Sequence, residues 1–309
     1  MALHRLLSMR VGVPDPHGLD SFYSEVGFTP HGDGTYTGSE GGAEVKVEQY
    51  AFRRLLEVSV GASDERDVSL AAERLAAMGL NSSTVDGTLS VVDPASQVTF
   101  RVSVAEPFEQ TPRQPVLDNA PGVAVRRNAR AGGVLREAHP PRRLGHLVIG
   151  STDLAATRDL VVHGLGFKVS DDVSPFIAFL RCSTDHHNIG VVRTPVPLLQ
   201  HYSWECDDVD HVGTTATALL RTDPERHLWG FGRHFVGSNY YWYLRDPSGS
   251  FVEFYSDMDV IDDDEAWERE GRTPVTSELI ANSWGPKLPT EFIAPPDLDE
   301  LKNAWAAKG

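Results

Sequence analysis

An internal repeat is the feature that most constrains the fold, because both halves of the chain carry the same anchor sequences in the same order. The anchor pairs are VPD with STD, VGF with LGF, and DPAS with DPSG, at residues 13–15 and 151–153, 26–28 and 165–167, and from 93 and 246. A repeat on this scale indicates one structural unit used twice, so a single architecture must satisfy both halves.

Each copy alternates between helix-period and strand-period segments. The first copy opens with the apolar strand LLSMRVGVPD and the helix HGLDSFYSEVGF, which we expect to end at Gly27. The second copy opens with LGHLVIGSTD and the helix LAATRDLVVHGLGF. Further helices in DVSLAAERLAAMGL and DVDHVGTTATALL precede the last strands of each copy. This alternation predicts an α+β fold with βαβββ order.

The repeat sets the predicted domain boundaries. We expect a structural first domain over residues 1–105, a linker over 106–143, a second domain over 144–262 and a tail over 263–309. The linker is rich in Pro, Arg and Gly and should wrap the surface. The tail should end in a helix with Asp297 as its cap and a packing stripe of Leu298, Leu301 and Trp305.

Composition excludes several classes of protein. The length of 309 residues suits two domains, and 40% apolar with 23% charged residues is ordinary for a globular chain. A net charge of −16 argues against sequence-independent nucleic-acid binding. We find no signal peptide and no apolar run long enough to cross a bilayer. Only Cys182 and Cys206 are present, so we expect a reducing, cytoplasmic location without disulfides.

Three residues of the second copy offer metal ligands: His146 in GHLVI, His201 in HYSWE and Glu253 in FVEFY. They are distant in sequence, so they can meet only where a curled sheet gathers inward-facing positions. Two imidazoles and one carboxylate on one face of a metal leave the other positions open, as in non-haem Fe(II) oxygenases. A lone strand histidine is more often an ordinary hydrogen-bonded group. Glu253 has aromatic neighbours, and a buried carboxylate needs a partner.

A second set of polar residues could surround such a site. DHHNIGVV places His186 and His187 on what we interpret as a strand, one facing the site and the other solvent. GRHFVGSN supplies His234 on a loop, and YYWYLRDPSG supplies Tyr243 before the last strand. Histidine can act as an acid or base at neutral pH, and tyrosine can hydrogen-bond an oxygen ligand. The aromatic run at 240–243 is also ordinary strand composition.

Taken together, these segments resemble the type I extradiol dioxygenases of the vicinal oxygen chelate superfamily, two-domain enzymes that open catechol rings. The motifs are GHLVI, HHNIGV, HYSWE, GRHFVGSN and YLRDPSGSFVEFYSD, and the resemblance extends over residues 3–262. The resemblance implies two tandem vicinal-oxygen-chelate domains. Each would consist of paired βαβββ modules forming a curled sheet around the site.

The resemblance also implies residue roles and a reaction. The implied metal is Fe(II), with Mn(II) as an alternative, and its ligands would be His146, His201 and Glu253. His187 would be the acid–base residue, His234 would steady a substrate oxygen or dioxygen, and Tyr243 would bond the catecholate. The implied reaction cleaves a catechol and incorporates both atoms of dioxygen, in aromatic hydrocarbon catabolism. The expected partners are that substrate, dioxygen and further copies of the chain, with no nucleic acid or membrane.

The first copy departs from this ligand pattern. The anchors align Ser8, Glu57 and Phe100 with the three proposed ligands, and this set cannot make a two-histidine site. The first domain therefore looks structural, and we expect one metal per chain.

The substrate and the competing functions stay open at this point. An apolar pocket could be lined by Phe176, Phe179, Trp204, Trp229 and Phe235, or these residues could be core. An apolar-substituted catechol or a dihydroxybiphenyl-like compound is favoured weakly. One alternative is a glyoxalase-like isomerase or lyase on the same scaffold, although those enzymes generally draw ligands from both copies. The other is a non-enzymatic small-molecule-binding relative, which would not need the three ligands.

Overall fold

The computed structural model describes residues 3–42, 44–113, 118–135, 137–276 and 278–308. Residues 114–117 and 136 of the predicted linker lie outside these ranges. In the first half the elements are β1 Leu3–Val13, α1 Pro16–Val26, β2 Thr29–Pro30, β3 Thr35–Thr37, β4 Glu44–Gln49, β5 Arg54–Ala62, α2 Glu65–Ala77, β6 Ser82–Val85, β7 Thr88–Val92 and β8 Thr99–Val104. In the second half they are β9 Leu144–Ser151, α3 Leu154–Asp159, β10 Lys168–Val173, β11 Ile177–Arg181, β12 Ile189–Arg193, β13 Leu198–Glu205, α4 Val209–Thr222, β14 His227–Arg233, β15 Tyr240–Arg245 and β16 Phe251–Ser256. The tail adds α5 Asp264–Ala266, α6 Thr290–Ile293 and α7 Leu298–Lys308.

Across the described residues the two halves form eight-stranded sheets with one common strand order. The orders are β2-β3-β4-β1-β5-β8-β7-β6 and β10-β11-β12-β9-β13-β16-β15-β14, which match strand for strand. Each half consists of two βαβββ modules whose first strands, β1 with β5 and β9 with β13, pair antiparallel at the centre. The predicted α+β fold of paired βαβββ modules is confirmed.

The repeated anchors perform the same local task in both halves. Asp15 and Asp153 are helix N-caps whose side chains accept from the backbone N–H of His17 and Ala156. A left-handed glycine ends the first helical segment of each half: Gly27 at φ 90° after α1, and Gly166 at φ 99° after the π-helical turn Leu160–Leu165 that continues α3. A glycine adopts this conformation without the steric cost that a Cβ would bring, which is why the predicted stop holds.

The two halves share one apolar core. The rings of Phe28 and Trp204 lie 3.9 Å apart across the boundary between the halves. Nearby, the Tyr23 hydroxyl donates to Tyr202 (3.2 Å), which in turn donates to Asp246 (2.9 Å). Trp204 is fully buried in this core, so of the two positions left open for it, the structure favours the core over the lining of a substrate pocket.

The tail is fastened to the first half by a partly buried ion pair. The Arg53 guanidinium donates to both Asp297 carboxylate oxygens, at 2.6 and 2.8 Å, and Arg53 is only 4% exposed. Asp297 was predicted to cap α7, but its carboxylate is taken up by this bidentate pair. Leu301 is buried, and the Trp305 indole donates to the Pro197 carbonyl, so the predicted packing stripe is confirmed.

None of the described helices combines the length and the apolar character needed to cross a bilayer. The two cysteines, Cys182 and Cys206, are free and buried. The strands of the first sheet lie within residues 3–104, and those of the second sheet lie within residues 144–256. These limits are close to the predicted domain boundaries, which remain a prediction.

Candidate metal centre and its surroundings

The three predicted ligands lie on three adjacent strands at the middle of the second sheet. Ser203 of β13 pairs with His146 of β9 on one side and with Glu253 of β16 on the other. His201 precedes Ser203 by two residues on the same strand, and side chains at that spacing share a face. The order of strands in the sheet therefore brings together two histidines and one glutamate that are distant in sequence.

Ligand atoms of these three residues converge closely enough to hold one ion. The Nε2 atoms of His146 and His201 lie 2.8 and 3.6 Å from the same Glu253 carboxylate oxygen. Donors bound at ~2.1 Å on adjacent positions of a metal are about 3 Å apart, so the observed separations fit. His146, His201 and Glu253 are all buried, with ligand atoms within 4.8 Å of one another.

The protonation states also suit a divalent metal. Burial lowers the pKa of His201 to about 3, which keeps its imidazole neutral and available as a ligand. Burial alone would raise the pKa of Glu253, but the neighbouring His146 outweighs it and holds that pKa well below its usual range. A neutral His201 imidazole and an ionised Glu253 carboxylate are the forms in which these side chains bind a non-haem divalent metal.

Neighbouring polar groups orient the three ligands. The Ser203 hydroxyl donates to Glu253 Oε2 at 2.6 Å, and the Asn239 amide donates to Oε1 at 3.1 Å. The Gln200 carbonyl oxygen accepts from Nδ1 of His201. Such partners fix the orientation of a ligand and raise its affinity for metal. Sequence reasoning missed all three, although the alternation of side chains along β13 places Ser203 beside His201.

His234 and Tyr243 lie beside the ligands, as predicted. Tyr243 is paired with Glu253 in the sheet, and its ring lies 5.2 Å from that of His201. His234 Nε2 is 3.0 Å from the Tyr243 hydroxyl and 3.6 Å from a Glu253 oxygen. His234 Nδ1 hydrogen-bonds the Ala281 carbonyl at 2.6 Å, so its Nε2 is left to accept from the Tyr243 hydroxyl.

His187 also lies at the centre, but its neighbour departs from the prediction. The His187 ring is 4.3 Å from the ring of His146. His186 was predicted to be the member of the pair that faces solvent, yet both rings are buried and their Nδ1 atoms are 3.1 Å apart. The prediction is wrong because both residues precede β12 and lie in a loop, where strand alternation does not apply.

Aromatic side chains close the His201 side of the centre. Phe292, from the tail, lies 5.9 Å from the His201 ring and 4.9 Å from that of Tyr243. The Gln200 amide donates to the Phe292 carbonyl at 3.0 Å, which links the tail to a ligand. Trp229 stacks on Tyr243 with ring centroids 5.4 Å apart.

The remaining pocket candidates differ in their positions. Phe179 lies 5.1 Å from the His187 ring. Phe235 is half-buried on the loop after β14. Phe176 is 62% exposed in the turn between β10 and β11, which does not place it at the centre.

The first sheet places different groups at the corresponding positions. Its register makes Ser8 and Glu57 the counterparts of His146 and His201, as predicted. The counterpart of Glu253 is Arg101, and the prediction of Phe100 is wrong by one residue. In the turn before β8, the Asp93 backbone N–H donates to the Val98 carbonyl, whereas in the turn before β16 the Asp246 backbone N–H donates to the Ser250 carbonyl. The first turn is therefore one residue longer than the second.

A guanidinium therefore lies in the first half where the second half has a carboxylate. Arg101 and Arg10 each approach the same Glu57 oxygen to 3.7 Å. Two cations around a single carboxylate repel a further cation. This arrangement supports the interpretation of the first half as structural.

We expect one tightly bound metal ion per chain. Metal analysis after dialysis of the reconstituted protein would measure this stoichiometry. Glu57→Ala should leave the metal content unchanged, because it alters the first-half counterpart of a ligand and not the ligand itself. Two tightly bound ions per chain would contradict the assignment.

A second cluster of potential ligands, His139, Asp207 and His211, lies where the linker meets α4. His211 Nδ1 accepts from the Asp207 backbone N–H at 3.0 Å, and Nε2 donates to the His139 carbonyl at 3.0 Å. Arg113 and Arg142 flank the Asp207 carboxylate at 3.6 and 3.7 Å. Both His211 nitrogens have partners, so this cluster fastens the linker to the second half.

Comparisons with known proteins agree with this geometry. Residues 143–254 match the family model described as Glyoxalase/Bleomycin resistance protein/Dioxygenase superfamily. Metapyrocatechase 2 of Cupriavidus necator is 32% identical over 182 residues, which are 57% of this chain and 54% of that protein. The chain thus spans about half the length of curated relatives that it matches.

Two solved structures share the overall fold. Homoprotocatechuate 2,3-dioxygenase from Brevibacterium fuscum superposes with a TM-score of 0.69 at 18% identity, covering 94% of this chain and 91% of that one. The Mn(II)-bound glyoxalase from Novosphingobium aromaticivorans gives 0.72 at 21% identity, covering 96% and 95%.

The candidate metal ligands His146, His201 and Glu253 all lie within the part of the chain that matches the family model. The second half of the chain is similar to the Glyoxalase/Bleomycin resistance protein/Dioxygenase superfamily, and the overall fold is shared with homoprotocatechuate 2,3-dioxygenase. The resemblance predicted from the sequence is confirmed.

Proposed function

We propose that this protein is an extradiol dioxygenase that cleaves catechol-type rings and incorporates both atoms of dioxygen. One observation carries the proposal: His146, His201 and Glu253 converge on one side of a buried point, with His187, His234 and Tyr243 around it. The similarity to a metapyrocatechase supports it. All three ligands come from the second half, which argues against a glyoxalase-like site that draws ligands from both halves.

We assign the metal as Fe(II), with Mn(II) as the alternative that the same donors accept. When bound, such an ion supplies positions that hold the catecholate and dioxygen side by side and a path for electrons between them. The protein holds the ligands in the required orientation through Ser203, Asn239 and Gln200. The buried free thiols of Cys182 and Cys206 support a reducing, cytoplasmic location.

The surrounding residues manage protons and orientation. Burial holds the pKa of His187 well below its ordinary value, so its neutral ring can accept a proton from a catechol hydroxyl. Burial and the nearby Glu253 raise the pKa of Tyr243, which keeps the phenol protonated as a hydrogen-bonding group. His234 accepts from the Tyr243 hydroxyl and so sets the direction in which that hydroxyl points.

Ring cleavage can be tested directly on the reconstituted protein. The chain is loaded with Fe(II) or Mn(II) without air and mixed with catechol, 3-methylcatechol or 2,3-dihydroxybiphenyl. We expect one dioxygen consumed per catechol, a yellow ring-opened product, and two labelled atoms in that product when ¹⁸O₂ is used. A metal-loaded protein that consumes no dioxygen with any catechol, but isomerises the glutathione adduct of methylglyoxal, would contradict the proposal.

The aromatic side chains beside His201, Phe292 and Trp229 among them, predict a preference for a substrate with an apolar ring substituent. Phe292→Ala removes a ring that packs on both His201 and Tyr243 and should change the size of substituent accepted. The ratio of kcat/KM for 2,3-dihydroxybiphenyl over catechol should shift about tenfold or more, because apolar pocket contacts discriminate on that scale. Metal content should not change. Ile293→Ala is the control, since that neighbouring side chain is 70% exposed; equal shifts in both variants would contradict the assignment.

A further inference from the structure

Asp171, His186 and His187 form a continuous hydrogen-bonded chain that ends beside the metal centre. The Asp171 carboxylate lies 2.9 Å from His186 Nε2, and His186 Nδ1 lies 3.1 Å from His187 Nδ1. The two rings are nearly perpendicular, at 88°, with centroids 5.3 Å apart. His186 is fully buried and His187 is 5% exposed, so water does not compete for these bonds.

The chemistry of the chain fixes the position of each proton. An ionised carboxylate only accepts hydrogen bonds, so His186 must donate to Asp171 from Nε2. Arg272 approaches the other Asp171 oxygen to 3.8 Å and places a second positive group beside that carboxylate. A neutral imidazole carries one ring proton, and His186 must therefore accept at Nδ1. The donor at the other end of that bond is Nδ1–H of His187.

We propose that Asp171 and His186 are positioning residues that hold His187 in the Nδ1–H tautomer, with the lone pair of Nε2 available to the substrate. A base must present a lone pair to the proton that it removes. An imidazole free of such a partner favours the Nε2–H tautomer in water, which presents a donor instead of an acceptor. The catalytic part of this inference rests on the proposed function, whereas the tautomer itself does not.

Several segments keep the chain in place. The Asn188 side-chain oxygen accepts from the backbone N–H of Cys182 and Ser183 and so shapes the histidine loop. The His186 backbone N–H donates to the Asp259 carbonyl at 2.8 Å. Trp267 packs on the His186 ring at 5.3 Å. The histidine loop is thus held both by hydrogen bonds within residues 182–188 and by contacts with the segment that follows β16.

A purely space-filling role for His186 predicts a different effect of mutation on kcat. If His186 only filled space, an aromatic ring of similar size would replace it without loss. His186→Phe keeps the ring but removes both hydrogen bonds, so we expect kcat to fall about a hundred-fold, within the range for loss of a correctly placed proton acceptor. KM for the catechol should stay within about threefold, because the lost interaction acts on the reaction steps. Metal content should be unchanged.

Two further variants separate hydrogen bonding from packing. His186→Gln retains a carbonyl oxygen that can accept from His187 and an amide that can donate toward Asp171, so it should recover about tenfold of the lost kcat. Trp267→Phe removes the indole that packs on His186 and its donation to the Ser170 carbonyl, but it leaves the side chains of Asp171, His186 and His187 unchanged. Its loss of kcat should therefore be at least about tenfold smaller than that of His186→Phe. A loss in Trp267→Phe equal to that in His186→Phe, or no recovery in His186→Gln, would overturn the proposal.

The tautomer can be measured without any turnover. Histidine-¹⁵N protein is loaded with Zn(II), a diamagnetic ion that accepts the same donors. Long-range ¹H–¹⁵N spectra then distinguish protonated from unprotonated ring nitrogens, and His187→Phe identifies the His187 signals. We expect a protonated Nδ1 and an unprotonated Nε2 at His187 in the wild-type protein, and a shift toward Nε2–H in His186→Phe. A wild-type His187 in the Nε2–H form would overturn the inference even if catechols are cleaved.

Discussion

Glu253→Ala should abolish most metal binding and lower turnover by about a thousand-fold or more, roughly 4 kcal/mol in the barrier. Glu253 is the only charged ligand of the three, and its carboxylate oxygen is the atom on which both histidines converge. The variant should still fold, because β16 contributes apolar residues to the core on its other face. Circular dichroism and metal analysis on the same sample would measure both properties.

Two comparisons sharpen this result. Ser203→Ala keeps all three ligands but removes the hydrogen bond to Glu253, so it should weaken metal affinity about 10- to 100-fold without abolishing it. His146→Ala and His201→Ala should behave like Glu253→Ala. Full metal occupancy in two of the three ligand variants would refute the proposed centre.

His187→Phe should retain the metal and still bind catechol without air, yet turn over about a hundred- to ten-thousand-fold more slowly. This loss corresponds to roughly 3 to 5 kcal/mol in the barrier. The phenyl ring can preserve the packing that His187 makes on His146, but it cannot accept a proton. Single-turnover rates, anaerobic catechol affinity and metal content should be measured in parallel.

The matched control is His163→Phe, the same exchange at an exposed histidine of the second half. It should leave metal content, affinity and turnover unchanged. Normal turnover in His187→Phe would assign the acid–base role to another residue. Loss of metal in His187→Phe would mean that the residue supports the ligands and not the proton transfer.

Much of the centre could be predicted because its ligands follow local rules. His146, His201 and Glu253 each lie on a strand, where the alternation of side chains assigns a face, and the repeat indicates which strands are central. Ser203 obeys the same rule and could have been included. The duplicated anchors also determined the helix ends, because Asp15 and Gly27 carry out their capping within a few residues of sequence.

The features that escaped prediction depend on geometry that sequence does not encode locally. His186 faces inward because the loop before β12 is fixed by Asn188 and by a segment far along the chain. Its partner Asp171 lies on another strand, and nothing in the sequence links the two. Arg101 was missed because one turn is a residue longer than its counterpart, and a one-residue slip exchanges the two faces of a strand. Phe292 reaches the centre only through the docking of the tail.

The matching registers of the two sheets make the first half a scaffold for a designed metal centre. Ser8→His, Glu57→His and Arg101→Glu would transplant the three donors onto strands with the same pairing. The transplanted centre would lack counterparts of His187 and of the tail that covers His201. One polypeptide would then carry two sets of the same three metal ligands, of which only the second-half set has the surrounding residues. Comparing the two sets would show how much of the activity comes from the metal ligands alone.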